Sequence, residues 1–344
     1  MSDVTPDITV RAEQAHRTAK RPTMAYLASE VAVGTTPMAI WSGVVAGAQE
    51  HDLNLIGFAG GNIGPQPAMP QGNLAPANII YKLVTPEICS GVVAWGLTLS
   101  SSDRELEAIH ARYRPLPIVT VSRAVAGHPV VVADNNQGMR ELVAHLVETH
   151  GCRRLAFIRG PAHPIAEERY RAYLEALAHY GIPFDPALVT PAWDWQSESG
   201  ERAVALFLDE RGLRPRQDVD AIVASSDLTA LAALEALHNR GIRVPDDLAL
   251  VGFNNSPEAQ CAIPPITSAA APLYEQGRRS VGALKNVMEQ ASVPERILIP
   301  ARLVVHQGRA RLPRGTHAAE WPARAGDLGA ERRPGRAAGY ARAG

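Results

Sequence analysis

The chain has 344 residues, 46% apolar and 20% charged, with a formal charge of −1. Such numbers describe an ordinary globular protein of two lobes or two domains and exclude a fibrous or wholly disordered chain. The charge is uneven: the stretch after His306 carries eight Arg against three acids, and the remainder holds 26 basic against 32 acidic residues, so the body is not built to bind nucleic acid.

Residues 1–22 are polar, with Asp3, Asp7, Arg11, Glu13 and Lys20 and no apolar segment. They read as a disordered leader without a signal peptide. No apolar run reaches membrane-spanning length. Three widely spaced cysteines, Cys89, Cys152 and Cys261, lie outside any CxxC pair, which fits plain thiols in a reducing compartment. A cytoplasmic location is expected, with no membrane and no cofactor.

In chain order, Met24 to Ala28 is a first strand, Pro37 to His51 a helix with Ile40, Val44 and Ala48 on one face, and Leu53 to Phe58 a second strand. The loop GGNIGPQPAMPQGN (60–73) is interrupted by Pro65, Pro67 and Pro70. Its glycines therefore do not lead into a helix start, and a phosphate-cradling role is set aside. Ala75 to Val84 reads as a helix, Gly91 to Trp95 as a strand, Asp103 to Arg112 as a helix and Ile118 to Val121 as a strand. This alternation means a doubly wound parallel sheet.

The pattern then restarts. VVVADNNQG (130–138) leads into a helix from Met139 to Thr149, followed by a strand from Arg154 to Ile158, a helix from Ile165 to Tyr180 and another from Gly200 to Asp209. Ala221 to Ala224 is a short buried strand. Ser225, Ser226 and Asp227 can cap the helix that follows, with Leu228, Leu231, Leu234 and Leu237 along it and Gly241 beyond it. Leu248 to Phe253 is a second fully apolar strand. Ligands of open α/β sheets bind where the loops leaving the carboxyl ends of strands gather, so Ser225 to Asp227 and Asn254 to Ser256 are the first candidates for a site. The Pro-rich stretch 262–272 reads as an extended connection, Leu273 to Gln290 as a helix and Arg296 to Val305 as a last strand. The expected fold is α/β, two doubly wound parallel-sheet lobes joined by three crossings of a hinge. Residues 307–344 offer little to bury and read as a disordered Arg/Ala/Gly/Pro tail.

Four ordered stretches carry a family resemblance: VVVADNNQGMRELVAHLVETHGCRRLAFIRGP (130–161), ERYRAYLEALAHYGI (168–182), AIVASSDLTALAALEALHNRGIRVPDDLALVGFNN (221–255) and PPITSAAAP (264–272). Together they resemble the effector-binding core of the lactose-repressor (LacI/GalR) family, with its periplasmic binding protein-like, type I fold. The resemblance runs over about residues 23 to 306. It implies a first lobe of 23–126 plus 265–292 and a second of 127–264 plus 293–306. It also implies a small polar, sugar-like effector held between them, and a homodimer that contacts DNA only through a helix-turn-helix headpiece, for which residues 1–22 are too short.

Residue by residue, Arg169 resembles the family's main ligand-gripping arginine; its rigid fork of donors can hold two hydroxyls or a carboxylate, although beside Glu167 and Glu168 it also reads as a solvated helix residue. Trp195 resembles an aromatic that stacks on a sugar ring, with Trp193 as competitor and a core or lid role as the plainer reading. Asn254 stands where the family usually has Asp. Ser226 stands where the family commonly has Asn, with Asp227 next to it, and both join the ligand candidates although helix capping alone would also explain them. Ser122 and Arg123 end the fourth strand, and Asp134 and Asn135 mark the hinge.

Two other outputs stay open: a sensor module of a histidine kinase or diguanylate cyclase without its output domain, to which residues 78–96 look closest, and a transporter solute-binding protein. The tail matches nothing in the family and suggests a frame change or truncation. An enzyme is not expected, because no HExxH, G-x-S-x-G, P-loop or Rossmann glycine triplet is present. His145 and His150, five apart on one helix, have the wrong spacing for shared metal binding on an α-helical face.

Overall fold

The computed structural model describes residues 21–31, 34–63, 77–100 and 102–306. The leader up to residue 20, most of the Gly/Pro loop and the tail lie outside the described residues. The elements in order are β1 (Thr23–Ala28), α1 (Thr35–Glu50), β2 (Asn54–Ala59), β3 (Gly91–Trp95), α2 (Asp103–Arg112), β4 (Ile118–Val121), β5 (Val130–Asp134), α3 (Asn135–Ala144), β6 (Leu155–Ile158), α4 (Pro164–His179), α5 (Ser197–Val204), β7 (Ala221–Ala224), α6 (Asp227–Asn239), β8 (Ala249–Phe253), α7 (Pro257–Cys261), β9 (Thr267–Ala270), α8 (Leu273–Met288), β10 (Arg296–Pro300) and β11 (Arg302–Val304).

These form two sheets, one ordered β10-β5-β4-β3-β1-β2 and one ordered β11-β9-β8-β7-β6. All pairings are parallel except that of β11 with β9. Strands β1, β3, β4, β6, β7 and β8 are apolar because both faces are covered, whereas β2 and β10 at the edges of the first sheet keep exposed residues. Along β3, Val93 and Trp95 enter one core and Val92 and Ala94 the other. Along β7, Ala221 and Val223 face one side, Ile222 and Ala224 the opposite one. Two helix layers on each sheet thus bury four cores, each large side chain contributing about 1.5–3 kcal/mol of transfer free energy.

In the first lobe, α1 and α8 approach backbone to backbone. A Cβ on Gly43 would lie 1.9 Å from the Tyr274 carbonyl oxygen, and one on Gly277 would lie 2.2 Å from that of Ile40. Only glycine fits at either crossing.

Several expectations need correction. Residues 77–83 form a 3-10 helix, Ala77–Leu83, in place of the α-helix expected over 75–84. The helix after β5 begins at Asn135, four residues earlier than expected, because the Asp134 carboxylate accepts from the Gln137 amide and caps it there. The Pro-rich connection contains β9, and the expected last strand is two strands, parted at Ala301.

The lobe boundaries move accordingly. β5 belongs to the first sheet, so the first crossing falls at Asp134–Asn135 and not at 127. β9 belongs to the second sheet, which moves the second crossing past Ala270. β10 belongs to the first and β11 to the second, which sets the third at Ala301 and not at 292. Three crossings of the chain between the lobes remain.

Candidate functional site

The carboxyl ends of both sheets point at one another across a cavity of about 400 Å³ lined by both lobes. Among the expected residues Ser122, Arg123, Asn135, Arg169, Trp195, Ser226 and Asn254 line it; Asp134 and Asp227 do not.

Arg169 is its centre. It sits on α4, 6% exposed, and it is not the solvated helix residue that its neighbours Glu167 and Glu168 suggested. Its Nε donates to Asn135 Oδ1 at 3.0 Å, one terminal nitrogen to the Ser225 carbonyl at 2.6 Å and the other to Asn254 Oδ1 at 3.3 Å. The guanidinium lies 3.7 Å from the centre of the Phe253 ring, close enough for cation–π attraction. Burial pulls its pKa down to about 9, against the raising fields of Asp227 and Glu168, so it stays cationic at neutral pH. A guanidinium has five N–H donors. Three hold the protein loops, and the residue lines the cavity with capacity to spare.

The loop after β8 presents Asn254 in the left-handed region, φ +119°, with Asn255 at +54°. Asn tolerates this better than most residues. Asp227 secures that loop from below. It is 1% exposed, and its carboxylate accepts from the Ser256 amide and the Ser268 hydroxyl, both at 2.6 Å. Desolvation raises its pKa, opposed by those same bonds. Its side chain packs against Gly252, where a Cβ would meet Oδ1 at 2.2 Å. Asp227 is therefore turned under the β8 loop, away from the cavity, which corrects its place among the ligand candidates. Ser226 caps α6 through the Thr229 amide and still borders the cavity.

Trp195, not Trp193, faces the cleft. Its indole N–H donates to Ser225 Oγ at 3.2 Å, and its ring packs on Gly160. Trp193 packs on the second lobe's core, with the Arg202 guanidinium 4.3 Å from its ring centre.

On the first lobe, Ser122 adopts φ +67° and donates to Gln276 Oε1 at 3.1 Å. Arg123 is clamped by Asp103 at 2.7 Å and by the Ser100 carbonyl at 2.6 Å. Ile40, Trp95, Leu97, Val130 and Leu273 give that wall an apolar surface, with Thr36 and Arg296 as further polar members.

Asn135 ties the crossing to the site. It accepts from Arg169 and donates to Glu168 at 3.0 Å, and Glu168 pairs with Arg296 of β10 at 3.1 Å. Asp134, partly buried, caps α3 beside it. At the cleft mouth Thr35 of α1 donates to Glu258 of α7 at 3.0 Å, a bond between lobes.

Sequence reasoning missed Asp103, Glu168, Gln276, Arg296 and His163. Asp103 had a local signal in Ser102, which caps α2. Gln276 and Arg296 had none, since the topology alone brings them to the cleft. The His163 side chain accepts from the Ile165 amide and caps α4. Burial, with Arg123 and Arg169 adding, pushes its pKa down to about 4.

Two facing α/β lobes with a buried arginine between them define a periplasmic binding protein-like fold, and a family model described as a periplasmic binding protein-like domain matches residues 143–307. Over 176 residues the chain is 38% identical to the HTH-type transcriptional regulator CelR of Thermobifida fusca, covering 51% of this chain and 50% of that one. The solved CelR–cellobiose complex superposes with a TM-score of 0.65 at 28% identity, covering 89% and 91% of the two chains. A LacI family transcriptional regulator from Mycobacterium smegmatis superposes with a TM-score of 0.65 at 26% identity, covering 83% and 98%.

Residues 143–307 therefore carry a periplasmic binding protein-like domain, and the described chain shares the fold of the LacI-family regulators it is similar to. The chain spans about half the length of the curated relatives it matches. Among the described residues no helix is long and apolar enough to cross a membrane.

Proposed function

We propose that this chain is the ligand-sensing core of a transcriptional regulator, which takes a small sugar-like metabolite between its lobes and signals by their closure. The observation that carries the reading is Arg169, buried at the cleft floor and braced by three loops, with donors remaining on a rigid fork. Asn254 and Ser226 add short polar groups beside it, Trp195 an aromatic face, and the apolar side chains of the first-lobe wall a surface for the C–H face of a ring.

A ligand that touches both walls favours the closed arrangement by its differential affinity. The Asn135–Glu168–Arg296 chain and the Thr35–Glu258 bond are the contacts such a change would remake. Output is through DNA by a headpiece outside residues 23–306, in a homodimer paired along the sides of both lobes. The CelR relative, named as a transcriptional regulator, supports this readout over a kinase, a cyclase or an enzyme.

The test is a thermal-shift screen of mono- and disaccharides, cellobiose included, followed by titration calorimetry of responders on wild type, Arg169→Ala and Trp195→Ala. A responding sugar whose affinity falls more than tenfold in both variants supports the reading. Equal affinities in all three proteins would remove both residues from the site.

A further inference from the structure

Helix α3 does not stop as an α-helix: it runs on through a π-helical turn, His145–Thr149. A wider turn of this kind bonds residue i to i+5 and brings residues five apart onto one face, and such turns recur at functional sites. His145 and His150, misaligned on an α-helix, are brought together by it, with their Nε2 atoms 3.1 Å apart. This overturns the expectation from spacing.

A metal bound by imidazole at about 2.0–2.1 Å separates two nitrogens by about 2.9 Å at a right angle and about 3.3 Å at the tetrahedral angle. The observed separation falls between the two. The ring planes are perpendicular and their centres 4.7 Å apart, closer than a straight N–H···N bond between two rings would hold them. The nitrogens therefore converge from one side.

The pair borders a pocket between the π turn, Val244–Pro245, Thr267 and His306. It lies at the amino ends of the second sheet's strands, opposite the cleft, so it has room for further ligands and owes nothing to the effector site. No group of three or more His, Cys, Asp or Glu stands ready to hold a metal among the described residues.

We propose that His145 and His150 form a two-histidine site for a divalent transition metal, Cu²⁺, Ni²⁺ or Zn²⁺, completed by water. Hard cations such as Mg²⁺ and Ca²⁺ have no oxygen cage there and do not bind. Affinities follow the usual order, with Cu²⁺ the tightest.

The test is calorimetric titration of the full chain with each chloride salt. It uses a Cys261→Ser background, because that exposed thiol also takes soft ions. It is repeated on His145→Gln and His150→Gln, with melting curves to confirm that each is folded. Electron paramagnetic resonance of the Cu²⁺ form counts coordinated nitrogens. The expected result is one ion per chain, bound at least tenfold more weakly by either variant, with two imidazole nitrogens falling to one. Binding that is unchanged in a folded variant, or absent at millimolar Cu²⁺, would overturn the assignment and leave the pair as a hydrogen bond. Neither outcome bears on the cleft.

Discussion

Asp227→Ala separates support of the site from contact with ligand. The carboxylate is buried and accepts two bonds of 2.6 Å, from the Ser256 amide and the Ser268 hydroxyl. Hydrogen bonds to a charged group are worth about 1.5–3 kcal/mol each, and removing the acceptor strands both donors. The expected loss is about 3–5 kcal/mol, a large share of the stability of an ordinary domain. Asp227→Asn keeps one acceptor oxygen and should lose about half as much. Urea unfolding at pH 7.5 gives the free energies, with an unchanged slope as the check that the unfolded state is the same. Ligand affinity should fall only modestly in Asp227→Asn, since the carboxylate reaches ligand through the Asn254 loop. The reasoning is refuted if Asp227→Ala costs less than about 1 kcal/mol, or if affinity collapses while stability does not, which would put the carboxylate in the ligand's reach.

Gly43→Ala should destabilise by about 3 kcal/mol, read as a drop of several degrees in melting temperature, because its Cβ would meet the Tyr274 carbonyl oxygen at 1.9 Å and force α1 off α8. His110 is 2% exposed, neither ring nitrogen meets a hydrogen-bond partner among the described residues, and burial with His128 beside it pushes its pKa down to about 4. Between the unfolded value near 6.5 and that value the unfolded chain binds more protons, so stability falls as pH drops through this window, by at most about 3 kcal/mol for the one group. His110→Phe should make the acid side of a melting-temperature profile shallower by about one proton; an unaltered slope would contradict the burial argument. Thr35→Ala breaks an exposed bond between lobes, and ligand affinity should change by less than about fivefold, since such surface contacts are worth under about 1 kcal/mol.

Strands and helices were legible wherever a run was buried on both faces or had a marked end. β3, α2, β4 and β7 fall on the expected residues, because GVVAW, IVTV and AIVA are apolar throughout and Ser102 announces a helix start. β9 was not legible, since TSAA carries no bulky side chain and two prolines precede it. The division at Ala301 left no trace, because one extended run serves two sheets in succession. Of the site, the loops after β7 and β8 and the candidacy of Arg169 could be anticipated from strand ends and family likeness, but not the depth of Arg169, because Glu167 and Glu168 beside it read as a solvated face. The fate of Asp227 could not: pointing under a loop or into a cleft is decided by Ser256 and Ser268, which meet it only in the fold. His145 and His150 were misjudged for a related reason, since a local change of helical pitch is invisible to a count of residues.

The division at Ala301 has a further consequence. Thr23 opens a strand of the first sheet and Val304 closes one of the second, so whatever adjoins residue 22 is carried by one body and whatever adjoins residue 306 by the other. A change in the angle between the bodies therefore becomes a displacement between those two points. A pair of fluorophores attached at residues 22 and 306 would register it directly, without reference to the output to which this core is coupled.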